Sequence, residues 1–512
     1  MQIVDGLLER LLTTRDHMLE QGGTERRETT APPREGSGAV KGYIPTPAET
    51  VDLMADRLFR SKPPSKHSSI LDPGCATGAF IAGIIRWCED HKLAIPRIVG
   101  MDSDLRHLKE ARAKFEQYPS VEIRHADFLS TRLPEFDYVI GNPPYVPITS
   151  LDEKEKARYR SSFATARGRF DLYLLFFEQA LNCLLPGGRL AFITPEKFLY
   201  VETAEPLRVL LAEKRVEEIL LLDENTFGDL ATYPTVTVLS NTARNGKTSI
   251  KLRSGQKVAV HLAADGRSWM PTLHGDHREI GGPALEDICV RISCGVATGA
   301  DSVFVHETKS LPVHLCRFAH PTISGRELGP QNPELISARS MLIPYSLDGE
   351  LLVERELGAL KPYLSESNRL LKLQNRTCVQ RKPWYAFHET PPLADILRPK
   401  ILCKDITALP MFWIDRSAAL VPRHSVYYIV PREPDHIGVL CDYLNSDYAA
   451  EWLKAHCQRA ANGYLRLQST ILKKLPVPDS LVVHSLPRNV GPKSRGRQGD
   501  TDTVTQPFEF AR

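Results

Sequence analysis

The sequence holds no CxxC pair and no cluster of cysteine with histidine, although ten cysteines are spread along its 512 residues. Thiols without metal-ligand spacing exclude a zinc module and a disulfide scaffold, and they suit a reducing cytoplasm; no metal is expected. No uninterrupted apolar run reaches the roughly 20 residues that span a bilayer, so no membrane association is expected. A signal peptide is also missing, because the first residues, MQIVDGLLERLLTTRDHMLE, read as a short amphipathic helix. Charge of one sign is not in excess: the net charge is only +3, which neither demands nor excludes a nucleic-acid partner. Hydrophobic content of 42% and charged content of 25% exclude disorder along the whole chain, and the length fits two domains.

What is present is organised. Residues 22–41, rich in Gly, Pro, Thr and charge, read as a flexible linker after the first helix. A helical stretch from Pro47 to Phe59 follows, with Val51, Leu53, Met54, Leu58 and Phe59 largely on one side. Short apolar runs then alternate with helical segments. Strands are expected at 68–72, 97–102, 121–127, 136–141, 189–195 and 216–223, with a last one at 234–240. Helices are expected at 78–88, 105–115 and 171–185, the last ended by Pro186-Gly187-Gly188. This alternation predicts a doubly wound α/β sheet with ligand loops at the strand carboxyl ends. It stops near Ala243, where a domain boundary is placed; beyond it come short strand-like pieces, many prolines and a helix near 436–456. The tail at 484–512 is polar and expected to be disordered.

At the first strand-to-helix turn stands Asp72-Pro73-Gly74-Cys75-Ala76-Thr77-Gly78-Ala79-Phe80. Gly74 and Gly78 permit a tight turn and close approach of a ligand. Asp102 ends the next strand, where a carboxylate can accept both ribose hydroxyls of a nucleoside. Asp127-Phe128 ends the third, where a carboxylate can take an adenine amino group and an aromatic can cover its ring. The loop lacks both the GKS/T of a phosphate-binding loop and GxGxxG, so pyrophosphate is not the obvious ligand. An acidic strand end at Asp72 suits a cation, and S-adenosylmethionine offers a sulfonium, an amine, a ribose and an adenine. Cys75 reads as a small buried residue rather than a nucleophile.

Asn142-Pro143-Pro144-Tyr145 ends the fourth strand. The prolines stiffen the loop and remove two N–H donors. Asn142 offers an acceptor and Tyr145 a flat ring, a set that suits a planar ring bearing an NH2 group. Accepting the amine hydrogens with Asn142 Oδ1 and the Pro143 carbonyl would free the nitrogen lone pair for attack on a methyl group. The bland reading of this run is a rigid turn.

These motifs resemble the gamma-class DNA adenine-N6 methyltransferases, especially Taq-like enzymes with a carboxyl-terminal target-recognition domain. Thr46-Pro47 matches the amino-terminal cofactor motif. Asp72 to Phe80, Asp102, Asp127-Phe128 and Asn142 to Tyr145 follow in the family's order, as do Asp171-Leu172-Tyr173, Phe176, Glu178 and Phe192 to Pro195. The resemblance implies a Rossmann-like class I S-adenosylmethionine-dependent methyltransferase domain over 41–245 and a mixed α+β DNA-recognition domain over 246–483. It implies cofactor contacts from Thr46, Asp72, Pro73, Gly74, Cys75, Gly78, Phe80, Asp102, Asp127, Phe128, Asn142 and Pro144. It implies that Tyr145 stacks on a flipped-out adenine in double-stranded DNA. A second aromatic covers that base; Tyr233 is the expected match and Phe227 its competitor. The family commonly carries Glu where Asp72 or Asp102 stands, and a shorter carboxylate should keep the role.

Segments 295–305, 381–389 and 462–478 resemble Taq-like recognition domains, with Arg381, Lys382, Trp384, Tyr385, Lys400, Lys404, Tyr464, Arg466, Lys473 and Lys474 interleaving charge and aromatics. Singly each is a surface charge or a core aromatic; together they favour a DNA-facing cleft. The rival readings are a protein-glutamine N5 methyltransferase, which shares NPPY chemistry on a planar amide but is shorter, and an RNA adenine-N6 methyltransferase, for which no RNA-binding module is recognisable. The expected partners are double-stranded DNA and a separate restriction endonuclease, with the methyltransferase itself monomeric.

Overall fold

Period-two alternation decides how the amino-terminal sheet buries itself. In the computed structural model, which describes residues 44–228, 233–273, 282–460 and 463–482, Ile70, Ile98, Tyr138 and Ile140 face one core. Leu71, Val99 and Val139, their neighbours in sequence, face the other. Both faces are therefore covered, as a parallel sheet requires. The strands are β1 (Ser69–Pro73), β2 (Arg97–Asp102), β3 (Val121–His125), β4 (Phe136–Gly141), β5 (Leu184–Pro195), β6 (Lys214–Leu221) and β7 (Pro234–Ala243), followed by β8 (Thr248–Lys251) and β9 (Lys257–Val260). Their spatial order is β3-β2-β1-β4-β5-β7-β6-β8-β9. β1 to β5 pair in parallel and β7 runs antiparallel between β5 and β6. On one face lie helices α1 (Ala48–Phe59), α2 (Ala79–Asp90) and α3 (Leu105–Phe115). The other face holds α4 (Glu153–Ser162), α5 (Leu172–Asn182) and α6 (Glu205–Ala212). This is the expected doubly wound sheet, and its order reverses between β1 and β4, where such sheets open a ligand crevice.

Three expectations change. The 171–185 helix stops at Asn182, and β5 starts at Leu184 and runs through Pro186-Gly187-Gly188. Phe136 N–H donates to the Cys183 carbonyl at 2.7 Å, so β4 captures the chain before the Pro-Gly-Gly run that was read as the helix stop. The strand at 234–240 is not the last: β8 pairs with β6 and β9 with β8, and Leu262, Trp269, Met270 and Leu273 complete the same core. The 436–456 helix is two, Ile437–Leu444 and Asp447–His456, parted where Asn445 Oδ1 accepts Phe412 N–H and Ser446 caps the second.

The carboxyl-terminal half is built on an antiparallel sheet of Cys289–Cys294, Val426–Pro431, Lys400–Lys404 and Phe412–Asp415, in that order. Tyr428 and Val430 face one core there, Ile401 and Ile429 another. All described residues belong to one compact unit. The expected first helix, linker and tail lie outside them. Among them, no helix is long and apolar enough to cross a membrane.

Lys400 was expected among the DNA-facing basic residues, yet it is fully buried and pairs with Asp415 at 2.5 Å. The Asp415 carboxylate also accepts Ser417 Oγ and Leu420 N–H. Removing one member leaves an unpaired buried charge. Lys400→Met should cost about 3–5 kcal/mol in denaturant unfolding, and Lys400→Met with Asp415→Leu should recover much of that loss.

Candidate active site

The crevice is bordered by the carboxyl ends of β1, β2 and β4. Gly74 and Cys75 N–H both donate to the Met101 carbonyl at 2.8 Å, folding the β1 turn onto β2. Gly78 has φ +81°, and a Cβ there would sit 2.2 Å from the Phe115 ring. Only glycine fits this entrance to α2. Asp102 anchors the turn: its carboxylate accepts Ala76 N–H at 2.9 Å and Asp104 N–H at 2.8 Å. The bonds hold the carboxylate in place and leave lone pairs for a ligand hydroxyl.

Asp72 is entirely buried, and neither carboxylate oxygen has a hydrogen-bond partner among the described residues. Burial, then repulsion from Asp102, pushes its carboxyl well above the usual range. A buried acid without a partner fits a cationic group that the bound ligand would bring. Pro73 continues β1, and a Cβ on Gly141 would lie 3.1 Å from Asp72 Oδ1, so β1 and the start of the Asn142–Tyr145 turn are in contact. Gly74 also lies against Pro144 and Phe176.

Cys75 is buried, and burial raises its thiol pKa, as a structural cysteine requires. Phe80 is a core residue of α2. Phe128 is buried and tilted against Phe176 at 5.0 Å. The Asp127 carboxylate accepts Leu129 N–H and Ser130 Oγ and lies 3.5 Å from Arg158, so it shapes its own turn while lone pairs remain for a ligand amine.

The turn from Asn142 to Tyr145 gives the sharpest geometry. Asn142 Nδ2 donates to the Ile44 carbonyl and to Thr46 Oγ1, both at 3.1 Å. Since Ile44 O can only accept, the amide is oriented by its partner rather than by convention. Asn142 Oδ1 is left buried and, among the described residues, unpartnered. Thr46, assigned to the cofactor, here serves to aim Asn142; the Ile44 carbonyl has no side-chain signal that sequence could offer. Pro143 is buried. Tyr145 meets Tyr173 edge-on at 6.3 Å, and its hydroxyl donates to the Ile193 carbonyl at 3.4 Å. Glu178 accepts Ala164 N–H, Thr165 N–H and Thr165 Oγ1, holding the excursion that leaves and rejoins the turn at the Pro147–Asp171 bridge.

The two candidate second aromatics stand differently. Phe227 ends a turn after β6 and is half-buried against the core. Tyr233 has its hydroxyl bonded to the carboxyl-terminal half and its ring under the Arg253 guanidinium at 4.9 Å.

Comparison with known proteins agrees with this architecture. Residues 88–227 match the family described as Eco57I restriction-modification methylase, and residues 347–477 match the TaqI-like C-terminal specificity domain. The Type II methyltransferase M.PaeR7I of Pseudomonas aeruginosa is 26% identical over 513 residues, covering 88% of each chain. M.XhoI of Xanthomonas vasicola is 27% identical over 392 residues, 69% of this chain and 70% of its own. The Type IIL restriction-modification enzyme MmeI, solved in complex with DNA, shares the fold at a TM-score of 0.55 and 14% identity. That match covers 88% of this chain, which spans 65% of MmeI.

Asp72 yields a proton-linkage test. Burial raises the Asp72 carboxyl in the free protein and a ligand ammonium would lower it again, so binding of S-adenosylmethionine should release protons at pH values between the two. Affinity should then rise with pH from the ordinary carboxylate range toward the raised Asp72 value. Calorimetry in buffers of differing ionisation enthalpy measures the release, and Asp72→Asn should remove it.

Proposed function

We propose that this chain, which joins an Eco57I-type methylase region to a TaqI-like specificity domain, is an S-adenosylmethionine-dependent DNA methyltransferase acting on adenine N6. The observation that carries this reading is Asn142 Oδ1: a buried, unpartnered acceptor, oriented by Ile44 and Thr46, beside the β1 turn.

The bound cofactor supplies an electrophilic methyl group. Asp72 would face its charged methionine end, the 73–78 turn its body, Asp102 its ribose, and Phe80 and Phe128 would wall the crevice. Asp127, which keeps lone pairs beside its turn contacts, would accept from the cofactor's adenine amine. The chain's own part is to prepare the amine. Adenine N6 is a weak nucleophile because its lone pair is delocalised into the ring. Asn142 Oδ1 and the Pro143 carbonyl accept its two hydrogens and favour a pyramidal nitrogen, while Pro144 stiffens the turn. Tyr145 offers the ring on which the base rests.

N6 lies within a stacked pair in duplex DNA, so the base must leave the stack. That costs a few kcal/mol, of which an aromatic platform returns roughly 1–3. The enzyme acts as a monomer on double-stranded DNA. Catalysis is assigned to 41–245 with the two added strands, and base reading to the half beyond. Any cleavage belongs to a separate endonuclease partner.

Sequencing DNA from cells expressing the chain should reveal N6-methyladenine in one sequence context. Methyl groups on cytosine N4, or none, would overturn the assignment. Asn142→Ala should lower the methylation rate by about 10²-fold or more while cofactor affinity stays near wild type.

A further inference from the structure

We propose that Tyr233, Arg253 and Glu196 form a clasp that locks the carboxyl-terminal half onto the strand supporting Tyr145. On this reading Tyr233 is a positioning residue rather than an aromatic stacked on the base. The role in catalysis rests on the methyltransferase function above; the clasp itself rests on contacts.

The Tyr233 hydroxyl donates to the Ala460 carbonyl at 2.5 Å and accepts Gly463 N–H at 2.9 Å. Both partners lie in the segment matching the specificity domain, whereas Tyr233 and Arg253 fall outside both matched segments. The Tyr233 carbonyl accepts Glu196 N–H at 2.8 Å. Arg253, in the turn between β8 and β9, covers the Tyr233 ring at 4.9 Å, donates to Glu196 Oε2 at 2.7 Å and to the Leu222 carbonyl at 2.8 Å. Leu222 N–H donates to the Pro234 carbonyl at 3.0 Å, closing the figure.

Glu196 directly follows β5. Three residues earlier on that strand, the Ile193 carbonyl receives the Tyr145 hydroxyl. One connected path therefore runs from Ala460 and Gly463, through Tyr233, to Glu196 and β5, and so to Tyr145. Glu196 is 1% exposed, and Arg253 is the cation paired with it. A buried ion pair contributes little net stability because desolvation offsets its attraction, but it fixes geometry strongly. Its place is consistent with registering one half against the other. Two hydroxyl bonds tie the Tyr233 ring to the carboxyl-terminal half with one face under a cation, an arrangement that suits positioning, and Phe227 is then the competing second aromatic.

Tyr233→Phe separates the two roles, since it keeps the ring and deletes both hydroxyl bonds. A stacking residue tolerates Phe and fails only as Ala. A clasp fails already as Phe. Single-turnover methyl incorporation into unmethylated genomic DNA, at saturating DNA, should fall about threefold to tenfold in Tyr233→Phe while cofactor affinity and melting temperature stay near wild type. Hydrogen exchange should quicken in peptides spanning 222–228 and 463–467, a readout that needs no activity. Arg253→Lys, which keeps a charge for Glu196 but loses the planar fork, should show an intermediate defect. A Tyr233→Phe protein with wild-type rate, or with unchanged exchange in both peptides, overturns the clasp. A wild-type chain that transfers no methyl group counts against the methyltransferase function, and exchange alone then decides the clasp.

Discussion

A carbonyl oxygen cannot donate, and the arrangement of the turn at Asn142 depends on that fact. The Ile44 carbonyl, 3.1 Å from Asn142 Nδ2, forces the amide to turn its nitrogen toward Ile44 and its oxygen away. Thr46 Oγ1 takes the second hydrogen of the same nitrogen. Neither contact belongs to β4, which Asn142 directly follows; both come from the segment leading into α1. The entry to the first helix and the exit of the fourth strand thus complete one group between them. A buried amide oxygen without a partner is costly; on the proposed function a substrate amine would supply the missing hydrogen.

The same economy of partners distinguishes the carboxylates around the crevice. Asp102 accepts two backbone N–H groups and is a fixed anchor. Asp127 accepts from its own turn and lies close to Arg158. Asp72 has no such partner among the described residues, and burial raises its carboxyl well above the usual range. Three acids at three strand ends look alike in sequence. Their surroundings tell them apart.

Local patterns made much of this legible. β2, β4 and α3 begin and end where their apolar alternation and bounding polar residues place them. The β1 turn and Asn142 to Tyr145 stand out because glycine and proline restrict the backbone in ways only a few residue types satisfy. What stayed hidden depends on pairing at long range. Leu184 enters β5 because β4 captures it, against a helical pattern that continues through it. β8 and β9 join the sheet after the strand-helix rhythm has ended, so no periodicity announces them. Arg253 is one of 65 basic residues by composition. Its role appears only when Glu196, Leu222 and Tyr233 are brought around it. Lys400 shows the converse: a lysine that reads as surface charge is buried in an ion pair.

On the proposed function, reading and reacting occur on different halves of the chain, which sets a geometric demand. A base swung out of a duplex would have to arrive at Asn142 and Tyr145, while the duplex would be held by groups more than two hundred residues further along. Misplacement by about 1 Å can cost about 10²-fold in rate, so a flexible link between the halves would forfeit much of the gain from orienting the amine. Apolar packing resists sliding weakly, because neighbouring registers bury similar area. Directional contacts resist it well: a phenol bonded on both sides and a guanidinium shared among a carboxylate, a carbonyl and a ring are satisfied in one register only. The polar groups buried where the halves meet therefore act mainly on placement, and their net contribution to stability can be small without lessening what they do for the reaction.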